Sequence, residues 1–415
     1  MIIVEIVSQH AEEAAFLWLL RSNATHAPHY SLKDLAKLDG RLEAHLDGLR
    51  VAGDPGWELC KAGLGNEENG EVFAASVMAF ESGIESRIQA VLEALQKTPE
   101  LSTGSISALG WIAYEQVSPH IDQLLCSESP IVQCVGLAAK AVHRKDPGAV
   151  LQTLLASGDA ELRARALKAV GELGRKNLTS LVNSSLGAED PSLRWWAAWS
   201  GALLGDGVAI LVLQKIATQK GPYAVKAATM AVRRMPVDAS HRWIKVLAEN
   251  SETIRGALCA AGALGDPTSI PWLIENMDVP VMARVAGESF TMITGVDLAY
   301  DDLDTDKPEG FEAGPTEDPD DENVEMDKDE DLPWPNTQLI EEWWFTHRLE
   351  FTNGTRYLLG KPMAIDSLND VLRTGKQRQR TAAAIELAMR QPGTALFNTS
   401  SPGFWQQTLF GLKNA

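Results

Sequence analysis

Cysteine is scarce in this chain. Only Cys60, Cys126, Cys134 and Cys259 occur, and no two form a C-x-x-C pair. That argues against a thiolate zinc site and a disulfide framework, and it suits a reducing cytoplasm. Histidine is sparse as well. The eight residues are scattered, no His-Glu-x-x-His helix is present, and His26 and His29 lie close without an evident third ligand. There is no Gly-x-Ser-x-Gly elbow and no cysteine with an obvious base. Long apolar runs are missing too. Ala14 to Leu20 is too short to span a bilayer and directly follows Glu12 and Glu13. The stretch from Met1 to Val7 lacks the basic start of a signal peptide. Lys and Arg are outnumbered 37 to 56, giving a net charge of −19. A nucleic-acid binder or a binder of anionic membrane leans the other way. These absences lead to the expectation of a cytoplasmic, non-catalytic protein with no cofactor or metal, and with neither nucleic acid nor membrane as its partner.

What is present supports a large core: 45% of the residues are hydrophobic and only 22% charged. The acidity is concentrated. Between Asp297 and Asp331 stand seventeen carboxylates and only two lysines, Lys307 and Lys328, so that segment carries −15 of the −19. Three readings fit it. It is a solvated loop held open by self-repulsion, a docking surface for a basic partner, or a calcium site built on Asp327-x-Asp329-x-Asp331. The last lacks the glycine and distal glutamate of an EF-hand loop. As a docking surface it would use Asp318, Asp320, Asp321, Glu322, Asp327 and Asp329.

The body of the chain is repetitive. An aliphatic residue (Ala283 in the last copy), a basic residue and an Ala-rich apolar stretch recur at Arg163, Arg194, Lys226, Arg255 and Arg284, spaced by 31, 32, 29 and 29 residues. A weaker copy begins at Val132-Gln133. The stretches end in Gly174, Gly205, Gly265 and Gly295. Each unit has a second apolar segment with helical spacing, such as Val208 to Ala217, and breakers such as Asp190-Pro191 and Asp266-Pro267 between segments. No convincing run of alternating strand residues appears. A two-helix unit of about thirty residues buries its apolar face only by stacking on its neighbours, so the pattern predicts an α-solenoid.

The sequence from Asp to aliphatic-Arg to Ala-Ala-x-x-x-Leu-Gly resembles the second helix of HEAT repeats. Asp159 with Arg163, and Asp190 with Arg194, match with the acid four residues before the base. The resemblance implies a structural ladder of Asp and Arg between neighbouring repeats, here Asp159, Arg163, Asp190, Arg194, Lys226, Arg255 and Arg284. Around Arg255 and Arg284 the spacing departs from that pattern, with Glu252 and Asp278 as the preceding acids.

The ends differ from the middle. Residues 1–52 read as an N-terminal cap of two helices, near His10 to Ser22 and Ser31 to Leu49, with Ser31 as a helix N-cap. Residues 53–296 read as the repeats, 297–332 as the acidic flexible segment and 333–415 as a helical C-terminal cap. Gly354 to Lys361 superficially suggests a phosphate loop, but five residues separate Gly354 from Gly360 and Pro362 follows Lys361, so it reads as a turn. Among the aromatics, Trp195 and Trp199 are candidate partner anchors. Trp343 and Trp344 read as pinning a helix onto the last repeats.

Ile293-Thr-Gly-Val, the acidic linker, Leu332-Pro-Trp-Pro, Trp343-Trp344 and Gly354-Thr-Arg-Tyr-Leu-Leu-Gly360 together resemble a bacterial family of HEAT-repeat proteins often encoded beside type VI secretion spike and effector genes. The resemblance implies an accessory of an interbacterial toxin system and carries no catalytic residues. The function expected is a non-catalytic protein-binding scaffold. Its sharper form is an immunity-type protein that holds a cognate toxin. The alternative is an adaptor or chaperone that loads an effector onto the spike. The partner is thus a basic effector or a spike component.

Overall fold

The computed structural model describes residues 3–314 and 326–412. Their contacts form two compact units. One comprises residues 1–204 with 373–415, the other residues 205–372.

The first unit contains α1 (Val4–Ala24), α2 (Leu32–Ala52), α3 (Asp54–Gly63), α4 (Asn69–Ser82), α5 (Glu85–Lys97) and α6 (Ser102–Trp111). It continues with α7 (Tyr114–Leu125), α8 (Pro130–Val142), α9 (Val150–Leu155), α10 (Ala160–Glu172), α11 (Thr179–Ser184) and α12 (Pro191–Leu204). The second unit contains α13 (Gly207–Ala217), α14 (Ala224–Val232), α15 (Val237–Ala248), α16 (Ile254–Leu264), α17 (Ile270–Met277), α18 (Pro280–Thr294) and α19 (Thr337–His347), and reaches its boundary in α20 (Ile365–Thr374). The chain then returns to the first unit with α21 (Gln377–Arg390) and α22 (Gly403–Leu409). Extended structure among the described residues is confined to an isolated antiparallel bridge between Ser31 and Lys376 and two antiparallel pairs of two-residue strands. The pairs are β1 (Asp304–Thr305) with β2 (Trp334–Pro335), and β3 (Tyr357–Leu358) with β4 (Lys361–Pro362).

The helix starts follow from local chemistry. Ser31 caps α2, as its sequence predicts, and the structure adds a reciprocal capping box with Asp34. Asp159 accepts from the Leu162 amide at the start of α10, and Asp206 from the Val208 and Ala209 amides at the start of α13. Pro130 and Pro280 sit where a missing N–H costs nothing. In α2, Leu35, Leu38, Leu42, Leu46 and Leu49 recur at three- and four-residue spacing and are all buried.

The repeated basic-plus-alanine pattern falls on the second helix of each pair: α8, α10, α12, α14, α16 and α18. Within each unit these second helices stack on their neighbours, as α10 does on α12 and α16 on α18. The pattern is Ala- and Gly-rich because the backbones come close. A Cβ on Gly171 would lie 2.5 Å from the Ser200 hydroxyl, and one on Gly262 would lie 2.9 Å from Ser289 Cα. At both places the buried serine donates across to the facing helix, Ser200 Oγ to the Leu167 carbonyl at 2.6 Å and Ser289 Oγ to Leu258 at 2.9 Å. A larger residue would both separate the helices and break that bond. The result is an all-α, HEAT-like α-solenoid with an acidic insertion and helical C-terminal elements. Replacing Gly262 with valine is expected to destabilise the chain by about 2–3 kcal/mol through overpacking, measured as a lower urea midpoint with the slope unchanged.

Candidate functional site

The second helices expose a chemical problem at their C-terminal ends. Their last carbonyls have no partner within the helix. In the second unit the segment 354–360 supplies the partners. Arg356 Nε donates to the Leu264 carbonyl at 2.8 Å, and its two Nη groups donate to Arg233 and Ala263, each at 3.2 Å. One guanidinium thereby closes the ends of α14 and α16 with charge of the favourable sign. The Tyr357 amide donates to Gly265 at 2.7 Å, and the Leu359 and Gly360 amides donate to Met292 and Ile293 at the end of α18. Asp266, fully buried, accepts from the Gly354 amide at 3.0 Å. The motif read as a turn is a strap over three helix ends.

The strap also explains two of the glycines that end the repeats. Gly265 and Gly295 cap their helices at φ +76° and +80°. A side chain there is strained, and its Cβ would also collide with the Tyr357 carbonyl at Gly265 or with Leu359 at Gly295.

The first unit uses the same device with different residues. The Leu396 amide donates to Glu172 at the end of α10 (2.9 Å), Asn398 Nδ2 to Val142 at the end of α8 (3.1 Å), and Arg144 Nε to the Leu396 carbonyl. Farther along, Trp405 donates to Trp111 at the end of α6. A buried ion pair anchors this second strap. Arg21 Nε binds Asp39 at 2.8 Å, Arg21 also donates to the Ser400 carbonyl, and Asp39 accepts from the Gly403 amide at 2.6 Å.

The acidic segment is tied down at both described ends. Leu298 and Leu303 are buried, β1 pairs with β2, and the Asn336 amide returns to the Leu303 carbonyl. Asp329 grips Arg255 with both oxygens, at 2.5 and 2.7 Å. Asp327 binds Arg284 at 2.6 Å, and Arg284 also donates to the Asp329 carbonyl. The Arg284 guanidinium lies 4.5 Å from the centre of the Trp334 ring and 5.8 Å from that of Phe311. The hydrogen bonds it donates to Asp329 raise the Arg255 guanidinium above its ordinary value. Burial pushes the Asp327 carboxyl up, but the Asp329 amide and Arg284 outweigh it and hold the group below the usual carboxylate value.

These contacts regroup the residues singled out in the sequence. Asp327 and Asp329, candidates for a partner or a cation, bind Arg255 and Arg284, which were expected in a repeat ladder. Guanidinium groups take the carboxylate oxygens that a calcium ion would need. Asp159 and Asp190 act locally, as N-caps to the Leu162 and Leu193 amides. Arg163 and Arg194 each donate to the carbonyl six residues back, Ser157 and Ala188. Lys226 is exposed at the start of α14. Trp195 and Trp199, the candidate anchors, are only 2% and 8% exposed. They lie on α12, which packs against α10, α11 and α21, so neither reaches a partner from the surface. Trp343 does pin α19, by an edge-to-face contact with Phe290 of α18, while Trp344 meets Phe351. Asp318, Asp320, Asp321 and Glu322 lie outside the described residues.

Among the described residues, no helix is long and apolar enough to cross a membrane, and no cluster of three or more His, Cys, Asp or Glu side chains could hold a metal ion. The arrangement is that of a stacked scaffold with its helix ends closed by its own chain. Residues 148–233 match the protein family described as HEAT repeats. No curated protein matches the chain. Among solved structures, the crystal structure of an engineered protein is similar at 16% identity, with 69% of this chain and 94% of that chain covered and a TM-score of 0.32.

Two outcomes are expected. Gly265→Ala should lower stability by more than the 1–2 kcal/mol or so of a left-handed residue, because the strap must also move; amide exchange at 356–360 should accelerate with it. Asp327→Asn combined with Asp329→Asn should lower stability by about 3 kcal/mol at pH 7 by leaving Arg284 uncompensated. In the unaltered chain the Asp327 contribution is complete above about pH 4, the unfolded carboxylate range, and disappears as pH falls through the lower folded value. Amide exchange at 326–335, followed against pH, checks that order.

Proposed function

We propose that this chain is a non-catalytic protein-binding scaffold, and more specifically a cytoplasmic immunity-type protein that holds a cognate type VI secretion toxin. The HEAT repeats support the general part, since stacked repeats present extended surfaces for protein partners. The specific part is supported by the sequence resemblance carried by Leu332-Pro-Trp-Pro, Trp343-Trp344 and the strap motif Gly354 to Gly360. The observation that carries the partner's chemistry is the split in the acidic segment. Asp327 and Asp329 are used internally, but Asp301, Asp302, Asp304, Asp306, Glu309 and Glu312 are all exposed, with Lys307 alone opposing them. Such a field speeds encounter with a basic surface and selects for it. A toxin that acts on nucleic acid is usually basic, and these six carboxylates offer it a comparable array of charge.

Co-expression with toxin genes encoded beside this one tests the reading. An immunity protein restores growth. An adaptor that loads an effector onto the spike instead changes secretion and leaves toxicity intact. If neither occurs, the secretion reading falls. If growth is restored, neutralising the six exposed carboxylates to Asn and Gln should weaken toxin binding at least tenfold at low salt, and added salt should weaken the unaltered complex in the same direction.

A further inference from the structure

The outer face of α1 is apolar where an exposed helix face is ordinarily polar. Phe16 and Leu19 are 55% and 52% exposed, Leu20 is exposed beside them, and Ile6 is exposed nearly three turns before Phe16. Positions 12, 16, 19 and 20 share one side of the helix, so Glu12 heads the same stripe. The stripe borders a hollow of about 600 Å³ formed by α1, the start of α4 and the start of α6, with Glu12, Phe16, Leu19, Glu68, Glu71 and Thr103 in its wall. A second hollow of about 280 Å³, against Leu59 and Cys60 of α3, shares Glu12 and Glu71 with the first. The two meet at Glu12 and Glu71, and the larger is the groove along α1. Its floor is set by a close approach, since a Cβ on Gly70 would collide with the Ala15 carbonyl.

The groove offers exposed apolar surface at Phe16 and Leu19, and every charged residue in its lining is acidic. Glu12, Glu68 and Glu71 line it, and Glu5 and Glu13 extend the charge along α1. The bases nearby are Lys61 on α3 and Lys97, and Lys97 is already bound to Glu67 at 2.6 Å. This balance decides the occupant. A second copy of the chain would bring the same carboxylates against these. An anionic lipid surface would be repelled. A helix with apolar residues at three- and four-residue spacing, flanked by Lys or Arg, satisfies both Phe16 with Leu19 and the carboxylates beside them.

We propose that the groove along α1 is a docking site for a cationic amphipathic helix of a protein partner. This rests on the protein-binding role proposed above and adds a surface in the first unit with its own chemistry. Phe16 and Leu19 supply the apolar contact, and Glu12, Glu68 and Glu71 pair with the partner's basic flanks.

The test uses the full chain and a fluorescein-labelled eighteen-residue Lys/Leu amphipathic helix, read by anisotropy. The comparators are a Glu/Leu peptide with the same apolar face and a Lys/Leu peptide of the same composition with the face scrambled. The Lys/Leu helix should bind, and both comparators should bind at least tenfold more weakly. Phe16→Ser with Leu19→Ser, and separately Glu12→Gln with Glu71→Gln, should each weaken binding at least fivefold while the circular dichroism and melting temperature stay unchanged. Equal binding of the scrambled peptide would reduce the effect to the chain's overall charge and overturn the site. So would affinity unchanged in both variants, or a dimer that Phe16→Ser with Leu19→Ser dissolves, because the occupant would then be a second copy. Growth rescue does not enter this measurement, so the toxin reading and the groove stand or fall separately.

Discussion

The structure depends on closing the carboxyl ends of its second helices. Stacking short helices side by side aligns their unsatisfied carbonyls, and aligned helix dipoles add partial negative charge there. Water can satisfy such an edge, but it contributes no order to it. This chain uses its own later segments. Arg356 alone reaches carbonyls of Arg233, Ala263 and Leu264, and the amides of 357–360 complete the row. In the first unit, Leu396, Asn398 and Trp405 do the equivalent work. The requirement that a strap lie flat on a helix end then dictates glycine at Gly265 and Gly295, where backbone must meet backbone.

That constraint makes the order of the chain meaningful. A simple repeat array contacts only its neighbours. Here contacts in the first unit reach from Arg21 to Ser400 and from Asp39 to Gly403, so that unit is complete only when the last residues are in place. The ion pair that holds them is buried, and burying two charges is tolerated because each also has a backbone partner. Such long-range closure slows folding relative to local helix pairing, since the loop entropy comes before the contact.

How much of this could be read in the sequence follows from what leaves a periodic trace. The second helices were legible because stacking repeats the same demand for small apolar residues every thirty or so positions, with Arg163, Arg194, Lys226, Arg255 and Arg284 marking the register. The N-cap at Ser31 was legible because it is local. The straps were not, because a pairing such as Arg356 with Arg233 joins residues far apart and leaves no period. One trace of the site was nevertheless present. Where the acid stands four before the base, as in Asp159 and Asp190, the acid caps its own helix and the arginine binds a nearby carbonyl. Where that spacing fails, at Arg255 and Arg284, the arginine finds its acid in Asp329 and Asp327. At these two positions the departure from the repeat accompanies a distant partner, whereas Lys226, which also lacks an acid four residues before it, is exposed. Trp195 and Trp199 misled for the opposite reason: their type suits an interface, and only the packing of α10, α11 and α21 around α12 shows them to be interior.

The same reasoning separates two kinds of carboxylate that the net charge merges. A carboxylate held by a buried arginine is a structural element, fixed in place and shielded from a partner. Asp327 and Asp329 are of this kind, and with Trp334 over Arg284 they cover part of the face that the second helices of this unit would otherwise present. An exposed carboxylate with no core function costs self-repulsion and contributes nothing to folding, so its concentration calls for another cause. Most of the cluster from Asp301 to Glu312 is of that second kind, although Asp301 also accepts from the Asp297 amide at 3.0 Å. A partner of opposite charge would relieve the repulsion that folding leaves in place. Internal and external electrostatics are thus divided along one segment, with the first anchoring what the second displays.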